Sequence, residues 1–306
     1  MPPEVLQHVF FLYKDASSEH DWEWIRISQI CGHWRDVALS SATLWNTPNL
    51  RFPELALEML RRARRAPLHV MYLARPWISG NDTFDTESHE GEDLGDGERI
   101  LGRKAQRNPL TLLSLDAAAH IIELDIAADG PTIISTLQSH PGQLTRLRDF
   151  SVENTTEIDL YPSFAFMADQ YPSLERLNLY QCYPPWTSNL LLTPARLRRL
   201  DIHTEIRRQP HADSFDDVLT FLKLQPNLES IYLAAALPLL NDTNQDKVPI
   251  KVHLPHLKQL DLEDTLAEVQ YFFSCLRIFA DCRVKAEVHQ EKSDYRKSHL
   301  LGTETL

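Results

Sequence analysis

The chain has 306 residues, 43% of them apolar and 24% charged, with a formal net charge of −12. Length and apolar share are those of a globular protein with a sizeable core, and no apolar run reaches membrane-span length, the longest being "YLAAALPLL" at 232–240. Residues 79–98 hold eight acids and no Lys or Arg, leaving −4 for the remainder, and this mild acidity excludes a basic nucleic-acid surface.

In chain order, Pro2, Pro3 and Glu4 mark a helix start, with proline in the first turn and an acid at the positive end of the dipole. Leu6, Val9, Phe10 and Tyr13 follow at helical spacing and predict one apolar stripe. Asp21 is placed to cap a second helix. Its stripe runs Ile27, Ile30, Cys31, Trp34, Val37, Ala38 until Ser40 and Ser41 break it, and Leu44 and Trp45 return to the same core. The spacing predicts a helical domain over residues 1–50, too small to bury its apolar surface well alone. The tryptophans then serve as its core, as a binding surface, or as both.

The wording "MPPEVLQHVF" followed by "ISQICGHWRDVALSSATLW" resembles an F-box, in the form found in the large F-box family of mushroom-forming fungi. The match covers residues 1–46. It departs from the pattern in Met1 for leucine, Ile30 for valine, and a long acidic connection, "KDASSEHD". The resemblance implies docking on a Skp-type adaptor and through it on a cullin. It carries over Pro2, Glu4, Leu6, Val9 and Phe10 from the first-helix motif, and Ile30, Cys31, Trp34, Arg35 and Trp45 from the later part.

Residues 51–120 are predicted as a connecting and opening unit. In it "ELALEMLRRARR" forms a helix with Leu55, Met59, Leu60 and Ala63 inward and its arginines solvated, a nuclear import signal being the alternative for "RRARR". "LHVMYL" at 68–73 is an opening strand, and the acidic segment 79–98 a disordered loop.

From residue 121 one phrase recurs: "IIELDI", "LRDFSV", "LERLNL", "LRRLDI", "LESIYL" and "LKQLDL", at spacings of 26, 27, 23, 31 and 29 residues. Apolar-x-x-apolar-x-apolar at such a period predicts leucine-rich-repeat units of a strand and a return segment. Returns read as helical: "FDDVLTFL" puts Phe215, Val218, Leu219 and Leu222 on one face behind the capping candidates Asp213 and Ser214, and "PTIISTLQSHP" and "PSFAFMADQYP" are bounded by prolines. Prolines before three of the phrases favour extended backbone. The polar ladder expected three residues past the second strand apolar residue is mostly missing; Asp129, Thr155, Cys182, Glu205, Ala236 and Thr265 stand there. The far end predicts a helix over "AEVQYFFSCLRIFA" and a last strand "RVKAEV" at 283–288.

The predicted fold is thus α/β: a small N-terminal helical F-box followed by an irregular leucine-rich-repeat solenoid over 121–288, with a flexible tail at 289–306. Alternation turns the residues between the apolar strand positions outward, among them Ala127 and Ala234. Arg176, Asn178, Tyr180, Arg199, Asp201 and Tyr232 are the substrate-binding candidates there, Arg and Tyr being favoured hot-spot residues.

Cys31, Cys182, Cys275 and Cys282 form no CxxC pair, the pattern of reduced thiols in a protein of the cytoplasm or nucleus, and no secretory signal is read at the start. Cys31 is expected to pack on its helix stripe. Hydrolase, metalloprotease, phosphate-loop and dinucleotide motifs are missing, so no cofactor, metal or catalytic group is expected. Together with the resemblance, this suggests the substrate-recognition subunit of an SCF-type cullin–RING ubiquitin ligase, not itself an enzyme, whose partners are the adaptor and a protein substrate, with no nucleic acid and no membrane. The alternative is a repeat scaffold that works outside ubiquitin ligase assembly.

Overall fold

The computed structural model describes residues 1–17, 22–73, 113–138, 144–156, 171–183, 185–187, 196–204, 214–240, 251–279 and 281–289. Expectations for Asp21, for the acidic segment 79–98, for most of "PSFAFMADQYP", for Glu205 and Asp213, and for residues 290–306 lie outside them. The fold is α/β, with eight strands of one mostly parallel sheet following chain order. The chain divides into two compact units, Met1–Phe150 and Ser151–Leu306.

The first unit opens with α1 (Pro3–Ala16), a 3₁₀ helix (Trp22–Gln29), α2 (Gly32–Ser40) and a 3₁₀ turn (Ala42–Trp45). Helix α1 has two apolar stripes, and only Leu6 and Phe10 go inward. Val9 and Tyr13, expected beside them, are exposed, because the core closes on the Leu6–Phe10 line alone. The second expected helix is two pieces. Cys31 is extended (φ −157°, ψ 169°), and the Arg35 guanidinium donates from Nε to the Ser28 carbonyl at 2.9 Å, satisfying an oxygen that a continuous helix would have bonded through its backbone. Gly32, a poor helix-interior residue, follows the break. Ile30 and Cys31 are therefore exposed rather than packed, while Ile27, Val37 and Ala38 are buried as the stripe predicts.

Helix α3 (Pro53–Ala63) buries Ala56, Met59 and Ala63, with Leu55 and Leu60 half-buried. Glu58 on its outer side takes hydrogen bonds from Arg61 and Arg62, which hold its carboxyl down to about 2. Strand β1 (Leu68–Leu73) pairs in parallel with β2 (Ile121–Ala128), which follows the short α4 (Leu115–Ala118). Helix α5 (Gly130–Gln138) returns the chain towards β3 (Asp149–Asn154), where the Arg148 N–H meets the Ile122 carbonyl at 2.8 Å.

The second unit contains β4 (Arg176–Tyr180), β5 (Arg199–His203), β6 (Ser230–Ala234), β8 (Gln259–Thr265) and β10 (Arg283–His289), each parallel to the next in register. Each recurring phrase supplies the same three inward residues, for example Leu174, Leu177 and Leu179, or Leu197, Leu200 and Ile202, all at most 2% exposed. Burying each is worth about 1.5–3 kcal/mol, so the repeated leucines hold the layer together. Behind them lie α6 (Phe215–Leu224) and α7 (Leu266–Cys275). Helix α6 starts in a reciprocal cap: the Asp217 N–H donates to Ser214 Oγ, and the Ser214 N–H donates to Asp217 Oδ2 at 2.9 Å. Its Phe215, Val218, Leu219 and Leu222 are buried, as the spacing predicts.

In three further places the structure differs from the expectation. The terminal helix stops at Cys275 because Leu276–Arg277 (β9) pair with Val252–His253 (β7) as a two-strand ribbon. Ala127 and Ala234 are buried, at 6% and 1% exposure. Ala234 has only a methyl group, and it sits between the longer side chains of His203 and Glu263. The polar ladder is present one residue earlier than expected. Asn154, Gln181, Thr204 and Asp264 are all buried just past the second apolar position. Asn154 Nδ2 donates to the Gln181 carbonyl, the Thr204 hydroxyl to the Ala235 carbonyl at 2.8 Å, and Asp264 accepts the Leu237 and Thr265 N–H groups at 3.1 and 2.9 Å. Gln181 and Ala235, whose carbonyls accept from Asn154 and Thr204, take positive φ (50° and 49°).

Candidate interaction surfaces

The helical segment has a finished interior. Trp45 is 1% exposed, donates from Nε1 to the Ala38 carbonyl at 2.9 Å, and meets Trp24 edge-on at 5.1 Å. The Arg62 guanidinium lies 4.2 Å over the Trp45 ring. Trp34 is half-buried, its ring 5.2 Å from Phe10. Lys14 reaches in from α1, donating from Nζ to the Leu44 carbonyl at 3.0 Å beside the Trp24 ring.

Burial lowers the Lys14 ammonium to about 8, against a small opposing pull from Asp15. Its pH signature has a definite sign. Below pH 8 the folded chain holds a buried charge. Between about 8 and 10.5 it sheds the proton before the unfolded chain does, so stability rises with pH across that window, by at most about 3 kcal/mol. Urea midpoints at pH 8 and 10, compared with those of Lys14→Met, isolate the effect; a difference that stays flat with pH rejects it.

Around this interior the resemblance-derived residues separate. Leu6, Phe10 and Trp45 are core. Pro2, Glu4, Val9, Ile30, Cys31 and Arg35 are exposed, and Trp34 straddles the boundary. Sequence reasoning missed Val5 and Leu12, which with Val9 make an outer stripe on α1, exposed by 41–57%, with Met1 ahead of it. The signal was present: Val5, Val9 and Leu12 are themselves at i, i+4 and i+7. His33 Nε2 hydrogen-bonds the Met1 carbonyl at 3.2 Å, which sets the first turn of α2 beside the start of α1.

The second surface is the outward side of the sheet in the second unit. Register sets Arg176, Arg199, Ser230 and Gln259 in one row, Asn178, Asp201, Tyr232, Asp261 and Lys285 in the next, and Tyr180, His203, Glu263 and Glu287 in a third. All six substrate-binding candidates therefore share this face. Arg199 is committed to Asp201, with Nη2 and Nε at 2.7 and 2.8 Å from Oδ2. Asp201 Oδ1 and Asn178 Oδ1, side by side in register, are buried acceptors with no hydrogen-bond partner among the described residues. Tyr180 lies 4.6 Å from His203, whose ring is 6.2 Å from Tyr232, forming an aromatic track. His203, outside the six candidates, is outward-facing as strand alternation predicts and stands in register with Tyr180. Tyr232 donates to Glu263, and burial with that carboxylate raises its phenol above the ordinary range.

No protein-family model and no curated protein matches this chain.

At the starts of the same strands Glu175, Arg196, Arg198, Asn227, Glu229 and His256 line a polar hollow of about 420 Å³. Glu229 is held between Arg198 at 3.2 Å and Lys258 at 2.5 Å, which keep its carboxyl below the usual range. Among the described residues no group of three His, Cys, Asp or Glu could hold a metal ion, and no helix is long and apolar enough to cross a membrane.

Proposed function

We propose that this chain is the substrate-recognition subunit of an SCF-type cullin–RING ubiquitin ligase: the helical N-terminus docks on a Skp-type adaptor and the sheet face captures a protein substrate. The reading rests on the F-box-like wording and on one observation, the exposed Val5–Val9–Leu12 stripe of a helix whose other side already completes a core. An apolar stripe left in water beside a finished core suits a partner surface. Val9 and Ile30 then contact the adaptor directly, while Leu6, Phe10 and Trp45 support them from beneath. The repeats form a leucine-rich-repeat-like solenoid in this reading, supported by in-register parallel strands recurring every 23–31 residues and by the buried polar line at their ends. Substrate lies along Arg176, Asn178, Tyr180, Arg199, Asp201 and Tyr232. With Arg199 neutralised by Asp201 and the Tyr180–His203–Tyr232 track beside it, that centre suits a segment offering an aromatic or aliphatic side chain to stack. The transfer chemistry belongs to other subunits of the ligase, in the cytoplasm or nucleus.

Purified full-length chain is expected to bind purified adaptor, and Val9→Asp or Ile30→Asp to weaken that binding about tenfold or more, equivalent to about 1.4 kcal/mol. Both sites are exposed, so thermal stability should move by less than about 0.5 kcal/mol. A folded wild-type chain that fails to hold the adaptor, or aspartate variants that bind as well as wild type, rejects the reading.

A further inference from the structure

The outer edge of β1 is closed by its own chain: the His69 and Met71 N–H groups donate to the Asn46 and Pro48 carbonyls at 2.9 and 3.1 Å, and the Leu50 N–H donates to the Met71 carbonyl at 2.7 Å. The outer edge of β10 has no such cover among the described residues. All seven of its residues are exposed, Val284 by 42% and Val288 by 47%. An uncovered strand edge is a template for another strand. From the pattern of β10 itself we infer that the occupant is β10 of a second copy of this chain, paired antiparallel about a twofold axis at Ala286.

Backbone direction comes first. The Arg283 N–H donates to the Lys258 carbonyl at 2.8 Å, so Arg283 and every second residue after it face β8. Val284, Ala286 and Val288 therefore aim their N–H and C=O groups outward. Antiparallel pairing needs outward groups directly opposite each other. A twofold axis at Ala286 sets Ala286 against Ala286 and Val284 against Val288, all outward.

Side-chain charge then selects the register. With the axis at Ala286, Lys285 faces Glu287 of the second copy and Glu287 faces its Lys285, at the positions where cross-strand side chains come closest. Within one copy these two residues already pair at 2.5 Å, so dimerisation exchanges partners without stranding a charge. Moving the axis one residue back opposes Lys285 to Lys285, and one residue forward opposes Glu287 to Glu287. Only the central register matches both charge and valine. It is an isologous contact, in which one strand supplies both halves.

Sedimentation of the full-length chain over a concentration series tests this. A dimer is expected, and Ala286→Pro should make it a monomer, because the proline removes an outward N–H and leaves the β8 pairing untouched. Lys285→Glu should also dissociate it, and Lys285→Glu combined with Glu287→Lys should restore it. The double reversal keeps the test decisive if the proline variant does not fold. A wild-type chain that stays monomeric at every concentration overturns the inference, as does a dimer unmoved by Ala286→Pro or by the single reversal. None of these outcomes depends on adaptor binding.

Discussion

Replacing Trp45 by alanine should cost about 3–5 kcal/mol, the range for emptying a buried aromatic site. Trp45 is where three kinds of contact converge on one ring: edge-on packing with Trp24, the Arg62 guanidinium stacked on its face, and the Nε1–H bond to the Ala38 carbonyl. Alanine removes all three and leaves that carbonyl only the longer bond from the Ser41 N–H, at 3.3 Å. Domains are stable by only about 5–15 kcal/mol, so such a loss takes a large share. Trp45→Phe keeps most of the volume and should cost much less. Urea unfolding followed by tryptophan fluorescence reads both, and a midpoint unchanged in Trp45→Ala would mean that Trp45 is not a core residue. The comparison also separates two ways of losing a partner: Trp45→Ala by loosening the helices, Val9→Asp with the helices intact.

Asp264→Ala should be comparably damaging in the second unit. Its carboxylate, on a side chain only 5% exposed, accepts the Leu237 N–H at 3.1 Å and the Thr265 N–H at 2.9 Å, tying the segment after β6 to the start of α7. Each buried donor left without an acceptor costs about 1–3 kcal/mol. Glu268, one turn further along and also buried, accepts the Leu240 N–H at 3.4 Å and cannot replace it. Asp264→Asn retains one acceptor oxygen and should fall between wild type and alanine. Hydrogen exchange at Leu237 and Thr265 is the direct measure; protection unchanged in Asp264→Ala would show that the amides have other acceptors.

The strands of the second unit were legible because apolar alternation has one physical solution in a sheet with one buried side. The phrases at 174–179, 197–202, 228–233 and 257–262 each put the same residues inward. Helix α1 was legible as a helix but not in its orientation. Leu6 with Phe10 and Val5 with Val9 and Leu12 are two stripes of similar hydrophobicity, and periodicity ranks neither; the neighbours decide. The break at Cys31 was hidden for a related reason. The stripe Ile27–Ile30–Trp34 runs through it, and the Ser28 carbonyl takes the Arg35 side chain in place of a helical N–H, which periodicity does not register. The polar line was displaced by one residue because Asn154 and Thr204 bond the carbonyls of Gln181 and Ala235 in the following segment, whose positive φ cannot be read from glutamine and alanine. On the sheet face, alternation gave the membership of the site, but not the Arg199–Asp201 pairing that changes its charge.

The row Glu175, Arg198, Glu229, Lys258 at the strand starts also bears on how the strands find their order. Their phrases are so alike that β4 could lie against β6, or β5 against β8, with every leucine still buried. Either omission would bring two carboxylates together, Glu175 on Glu229, or two cations, Arg198 on Lys258. Like charges directly opposed in a sheet are destabilising, and mispaired repeats are a characteristic failure of chains built from similar units. The alternation of sign therefore acts as a parity check on assembly: the leucines accept any neighbour, and the charges reject a skipped one.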